Sequence, residues 1–246
     1  MYSAAAIIIG NEVLSGRVQD ENLNYLATRL KTRGIRLLEA RVIPDLREMI
    51  VETVNELRAR HDYVFTTGGI GPTHDDITPE SVAAAFGVPV SRNEEATRLL
   101  RSFYGDSLNE SSLRMAMIPT GATLVGNPVS GVPGFKLENV YVLAGVPRIV
   151  RAMFESLESD LVGGRPVRSR TVTAFVQESV VADGLARIEQ EHPGVEIGSY
   201  PFVRQQRFGC ALVVRSTEPS LIDAASQAVA DLVRQVGGEP EVRDGE

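Results

Sequence analysis

Apolar positions along the 246-residue chain follow two periods. Residues 4 to 9, Ala-Ala-Ala-Ile-Ile-Ile, form an unbroken apolar run closed by Gly10. A short run without polar alternation predicts a strand covered on both faces. From Asn22 to Arg33, Leu23, Leu26, Ala27 and Leu30 recur at helical spacing, and Gly34 supplies the C-cap. Arg36 to Val42 predicts a second strand, ended by Pro44 and Asp45. Arg47 to Arg60 places Ile50, Val51, Val54 and Leu57 on one helical face, and Tyr63 to Thr67 predicts a third strand that runs straight into glycines. The order strand–helix–strand–helix–strand predicts an α/β fold with a mostly parallel sheet covered by helices.

Further on, short helices are expected at Glu80 to Phe86 and Glu94 to Tyr104, with one or two turns at Leu113 to Met117. Pro119 to Gly134 is rich in proline and glycine and predicts irregular chain. A strand at Val140 to Leu143, a turn at Gly145-Val146-Pro147 and a helix at Ile149 to Leu161 follow. Gly163-Gly164-Arg165-Pro166 breaks the pattern. Beyond it, Ser169 to Val176, Val180 to His192, Glu196 to Phe202, Phe208 to Arg215 and Leu221 to Val236 read as β-α-β-β-α. The expected division is therefore a larger α/β domain over 1–164 and a small α+β domain over 168–246.

Composition narrows the function classes. A hydrophobic fraction of 43% and a charged fraction of 23% are those of an ordinary globular chain. The single cysteine, Cys210, rules out an internal disulfide and thiolate metal clusters, and it reads as core. The apolar run near the start is too short to span a bilayer and lacks the basic start of a leader, so no membrane role and a cytoplasmic location are expected. A net charge of −7 with no basic run interleaved with aromatics argues against a nucleic-acid partner.

The candidate chemistry lies between the third strand and the next helix, in Thr66-Thr67-Gly68-Gly69-Ile70-Gly71-Pro72-Thr73-His74-Asp75-Asp76-Ile77-Thr78-Pro79-Glu80. Ligands of open parallel sheets sit at such carboxyl ends. Three glycines let a bulky anion approach the backbone, whose N–H groups can cradle phosphate. The loop contains no lysine, so it is not a P-loop. His74 stands where the dinucleotide fingerprint needs a third glycine. Asp75 and Asp76 beside a phosphate imply a divalent cation such as Mg²⁺ between them. The competing reading is a capped turn: Thr78 as N-cap, Pro79 at the first helical position, Glu80 on the helix dipole, Asp75 ordering the turn.

Three other segments follow strands or long loops and could reach the same mouth. Gly10-Asn11-Glu12 leaves the first strand; Asn11 could bond a base or ribose and Glu12 could assist a metal, or the segment is a self-ordered turn. Asn127-Pro128-Val129-Ser130-Gly131-Val132-Pro133-Gly134 is a rigid loop or a surface connection. Gly145-Val146-Pro147 could offer backbone contacts or be only a turn. His61 and His192 sit at helix ends, where a cation suits the dipole, and His74 reads as solvent-facing.

These segments carry a likeness. TTGGIGPTHDDITPE closely resembles the signature of the molybdopterin-binding (MoCF) domain family. GNEVLSGRVQDENLNYLATRL, NPVSGVPGF and GVPRIVRAMFESL resemble its CinA branch and the N-terminal domain of eukaryotic FAD synthase, and the tail from about Arg168 resembles the small KH-like domain that follows in CinA. The likeness spans nearly the whole chain, with four motifs in order. It implies a three-layer, MogA-like fold with the ligand at the glycine loop. The implied ligand is molybdopterin or an ADP-ribose- or FAD-like pyrophosphate, with metal-dependent pyrophosphatase activity, or binding without turnover. Carried over by motif, Asp76 is the first catalytic or metal candidate, with Asp75 and Glu12 next. Thr67, Gly68, Gly69, Ile70, Gly71, Pro72, Thr73 and Thr78 would line the ligand. Gly10, Asn11, Gly145 and Pro147 would border it, and Asn127 and Gly131 would form the opposite wall. A homodimer is implied. Two departures stand out: full-length CinA carries a further amidase domain beyond this stretch, so that activity is expected to be missing, and Ala144 stands where many relatives have proline before Gly-Val-Pro.

Overall fold

The computed structural model describes residues 2–204 and 206–245, which divide into two compact units, Met1–Gly164 and Arg165–Glu246. In the first, β1 (Tyr2–Ile9) is followed by a single turn of helix, α1 (Asn11–Leu14), then α2 (Asn22–Thr32), β2 (Ile35–Ile43), α3 (Arg47–Arg60) and β3 (Tyr63–Thr67). After the glycine loop come α4 (Thr78–Phe86), β4 (Val90–Arg92), α5 (Glu94–Tyr104), α6 (Glu110–Leu113), β5 (Met117–Pro119), β6 (Thr123–Val125), β7 (Gly134–Leu137), β8 (Val140–Leu143) and α7 (Pro147–Leu157).

The main sheet has the order β2-β1-β3-β8-β7-β6. Its first four strands are parallel, while β7 and β6 close it antiparallel. The apolar run of β1 lies in the middle, with Ala4 to Ile9 all buried, because helices cover both faces of the sheet there. The chain leaves β1 toward β2 and returns past it to β3, so the carboxyl ends of β1 and β3 flank the point where the winding reverses. Leu26 and Leu30 of α2, Ile50, Val54 and Leu57 of α3, and Val150, Met153 and Phe154 of α7 are fully buried. Each contributes about 1.5–3 kcal/mol by leaving water. Phe65 stacks on Tyr141 with centroids 5.1 Å apart and meets Phe154 at 5.7 Å.

The mostly parallel α/β sheet and its long helices match the sequence reading, but the short elements differ. The segment leaving β1, open between a ligand contact and a self-ordered turn, is the helical turn α1, and α4 starts at Thr78 rather than Glu80. The stretch expected to be irregular, Pro119 to Gly134, contains β6 and leads into β7, which turns into β8 through Glu138 at φ 50° and Asn139. β4 and β5 form a separate two-stranded pair.

The second unit comprises β9 (Arg168–Ala174), α8 (Glu178–Glu191), β10 (Glu196–Arg204), β11 (Arg207–Ser216), α9 (Pro219–Gln235) and β12 (Glu241–Asp244). The expected β-α-β-β-α order gains a last strand. The sheet, β10-β11-β9-β12, is antiparallel throughout. Val172, Ala174, Cys210, Leu212 and Val214 face Val181, Leu185 and Ile188 of α8 and Val229 and Val233 of α9. β10 is an edge strand, and Pro201 stands within it opposite Cys210.

Candidate functional site

The carboxyl ends of β1, β3 and β8 meet at three glycines. Ile8 pairs with Thr67 in register, and the Gly68 N–H donates to Leu143 O at 3.3 Å. Gly68 has φ +104°, and a Cβ there would lie 2.1 Å from Ile9 O, so only glycine fits this approach of β3 to β1. Gly145 packs on the same junction without a clash: its Cβ position lies 3.4 Å from Gly68 Cα.

The loop beyond is held at both ends by its own polar groups. The Thr78 hydroxyl donates to Gly68 O at 3.0 Å, and the Thr78 N–H donates to Gly69 O at 3.0 Å. Thr78 is therefore a fully buried staple on the loop; its hydroxyl does not cap α4, contrary to the capping reading. The turn is ordered by Asp76 together with Asp75, whose carboxyl is held below its ordinary pKa chiefly by a hydrogen bond with the Thr73 hydroxyl. Asp76 Oδ2 accepts the Thr73 N–H at 2.8 Å and the Thr73 hydroxyl in a short bond. Gly71 is pressed against that carboxylate, with its Cβ position 2.6 Å from Oδ2. Between these ties, the N–H groups of Gly69, Ile70 and Gly71 find no acceptor among the described residues. Three successive amides just beyond the end of β3 are thus left without protein partners.

A small cavity of about 50 Å³ opens at the ends of β1, β3 and β8, lined among others by Glu12, Asp20, Asn22, Thr67, Gly145 and Pro147. Asp20 fixes the start of α2 by accepting the N–H groups of Asn22 at 3.3 Å and Leu23 at 2.9 Å. This brings Asn22 under the cavity, where its Nδ2 donates to Gly145 O at 2.8 Å. Asn22 Oδ1 and Thr67 Oγ1 are buried and have no hydrogen-bond partner among the described residues. Buried polar atoms left unpaired are uncommon and costly, and they ask for an explanation.

Residues 5–163 match the family described as a probable molybdopterin binding domain. The chain belongs to this family. Within it, relatives of the CinA type stand among the similar proteins. A CinA-like protein of Desulfosudis oleivorans is 32% identical over 95% of this chain, which spans 60% of that relative's length. The crystal structure of the protein CinA from Thermoplasma acidophilum is 31% identical, with a TM-score of 0.61, over 64% of this chain and 98% of its own. A protein of Pyrobaculum calidifontis is 38% identical over 82% of this chain and 81% of its own length. Residues 166–237 match the middle domain of FAD synthase.

Within this molybdopterin-binding domain, the sequence candidates fall into three groups. Thr67, Glu12, Gly145 and Pro147 line the cavity, Gly10 and Gly68 stand at the ends of β1 and β3, and Gly69, Ile70 and Gly71 carry the unpartnered amides. Pro72, Thr73 and Thr78 shape the loop. Asn11 lies outside the cavity: its N–H donates to Asp45 at 2.9 Å and its side chain is exposed. Asn127 is fully engaged in its own loop, donating to Ser130 Oγ and Val132 O and accepting from the N–H groups of Val129 and Ser130. Its two amide hydrogens and both lone pairs are thereby used, and nothing remains for a ligand. Gly131, at φ +66°, is needed because a Cβ would meet Phe103 at 2.6 Å. Asn22 and Asp20 escaped the sequence reading. The signal was an Asp two residues ahead of a buried Asn at a helix start that follows the first strand.

No group of three or more His, Cys, Asp or Glu side chains is placed to hold an ion among the described residues. Asp76 Oδ2 is turned to Thr73, and Asp75 is exposed. No helix of the described residues is long and apolar enough to cross a membrane.

Proposed function

We propose that the larger unit binds a phosphate-bearing pterin or nucleotide at the carboxyl ends of β1, β3 and β8. One observation carries the reading: just beyond β3 three successive amides, Gly69 to Gly71, lack partners, and in the cavity at the strand ends the Thr67 and Asn22 oxygens lack them too. The anion sits on the amides and the ring system turns toward the cavity. Family membership supports this ligand class, since the family is described by molybdopterin binding.

Hydrolysis of ADP-ribose- or FAD-like pyrophosphates is the second reading, favoured by the placement of Asp75 and Asp76 at the end of the cradle loop. A divalent cation there would draw most of its ligands from substrate phosphates and water. The test is calorimetric titration with ADP-ribose, FAD and a pterin phosphate, with pyrophosphate as competitor. Saturable binding displaced by pyrophosphate is expected; absence of binding to all three refutes the reading. AMP release from ADP-ribose in Mg²⁺ or Mn²⁺ that disappears in Asp76→Asn adds turnover, and binding without release leaves a binding protein.

A further inference from the structure

Two cations and two exposed apolar side chains crowd the end of the β10–β11 hairpin in the smaller unit. Alternation from Ile197 and Cys210, which pack under the helices, puts Arg204 and Arg207 on the open face of the sheet, directly opposite each other. Like charges in that position repel, and neither arginine has a carboxylate partner among the described residues. Both are held in place by rings: the Arg204 guanidinium lies 4.6 Å over Phe202 and that of Arg207 4.3 Å over Phe175. The two rings meet edge to face at 5.7 Å. Phe202 lies across β11 where Gly209 leaves room, since a Cβ there would stand 2.5 Å from its Cζ. On the helix-covered face, Val203 and Phe208 pair across the strands and are 61% and 70% exposed. Phe208 and Pro201 wall a cavity of about 320 Å³ together with Val176 and the start of α8.

We infer that this hairpin end docks a segment of a partner protein that carries a large apolar side chain and, a few residues on, acidic ones. An apolar cavity of about 150 Å³ takes a benzene ring, so the one beside Phe208 has room for a leucine or phenylalanine side chain. Glu178 at its wall repels a carboxylate there and leaves the acids to the other face. On that face the opposed guanidinium groups, pre-set by their rings, offer forks that match carboxylates. β10 borders the sheet, so a segment reaches both faces by crossing it, without adding a strand. Exposed aromatic rings together with arginine are the composition of interface hot spots. Single-stranded nucleic acid fits less well, because nucleotides have no aliphatic side chain to fill the cavity. The rings on which bases would stack are also covered by guanidinium groups.

The experiment selects a random peptide display library on the immobilised full chain. Enriched peptides are then titrated by fluorescence anisotropy beside labelled oligo-dT. Those peptides should hold an apolar residue a few positions from two or more acids. Arg204→Ala combined with Arg207→Ala should weaken them about tenfold or more and flatten their dependence on salt. Phe208→Ser should weaken them about tenfold and leave the salt dependence as it was. All three side chains are exposed, so the variants should keep the wild-type urea midpoint. Peptides without that pattern, or affinity that survives these variants, overturn the inference. A selection that enriches nothing does the same. Oligo-dT binding abolished by the arginine variants also overturns it, and would assign the face to nucleic acid.

Discussion

Replacing Gly68 by alanine tests the junction on which the site is built. The added Cβ would stand 2.1 Å from Ile9 O, where a carbon–oxygen contact needs about 3.3 Å, so β1 and the loop must part by about 1.2 Å. The residue must also hold φ +104°, which costs a side-chain-bearing residue about 1–3 kcal/mol. Lifting the loop stretches two bonds, Gly68 N–H to Leu143 O and the Thr78 hydroxyl to Gly68 O, each worth about 1 kcal/mol. The expected loss is about 3–5 kcal/mol, or about 10 °C in the melting of the larger unit. Gly145→Ala is the control: its φ is not positive and its nearest contact, 3.4 Å to Gly68 Cα, is ordinary, so a change within about 1 kcal/mol is expected. Urea denaturation of both variants and the wild type gives the numbers. A Gly68→Ala protein within about 1 kcal/mol of the wild type refutes the argument, because it would mean that β1 and β3 can separate freely at the site.

Three further outcomes follow from the same structure. Asn127→Ala removes four hydrogen bonds inside one loop and should lower the urea midpoint by the equivalent of about 2–3 kcal/mol; a change below about 0.5 would show that the loop orders itself without it. Cys210 is 1% exposed and burial raises its thiol pKa, so a thiol-reactive dye should leave the folded protein unlabelled and react fully in denaturant; rapid native labelling contradicts the packing. Asp62 accepts the N–H and hydroxyl of Ser3, and the backbone bond chiefly holds its pKa below the ordinary value. A depressed folded pKa means the stabilisation is present above the unfolded pKa and is lost as pH falls through the folded one. The wild type should therefore exceed Asp62→Asn in stability at about pH 7 and converge with it at about pH 2. A gap that does not change over that range excludes the linkage.

What could be read from the chain was set by length and burial. The run of β1 and the periodic faces of α2 and α3 are long enough to show their period, and their buried residues follow it. β4, β5 and β6 are three residues each, too short to display alternation. β7 opens on Gly134 and turns at Glu138 without an Asn-Gly signal, and β12, Glu-Val-Arg-Asp, is exposed throughout. At the site, the glycines were legible because a close backbone approach leaves only one residue type. The duties of polar side chains were not. Asp76, Thr78 and Asn127 are types that serve loops and ligands equally well, and only their partners separate the two uses. Asn22 was hidden for the opposite reason, since its spacing in α2 is that of any helical residue and its role depends on Gly145, 123 positions away.

Pro201 shapes how the smaller unit can meet other chains. An outermost strand offers a row of unused donors and acceptors that invites a foreign strand to add itself. In β10 that row lacks one N–H, since proline has none, and its ring stands in the path of continuous pairing. Growth of the sheet from molecule to molecule is thereby discouraged at its nine-residue border. The opposite border, β12, is only four residues long and offers a foreign strand little length to pair with.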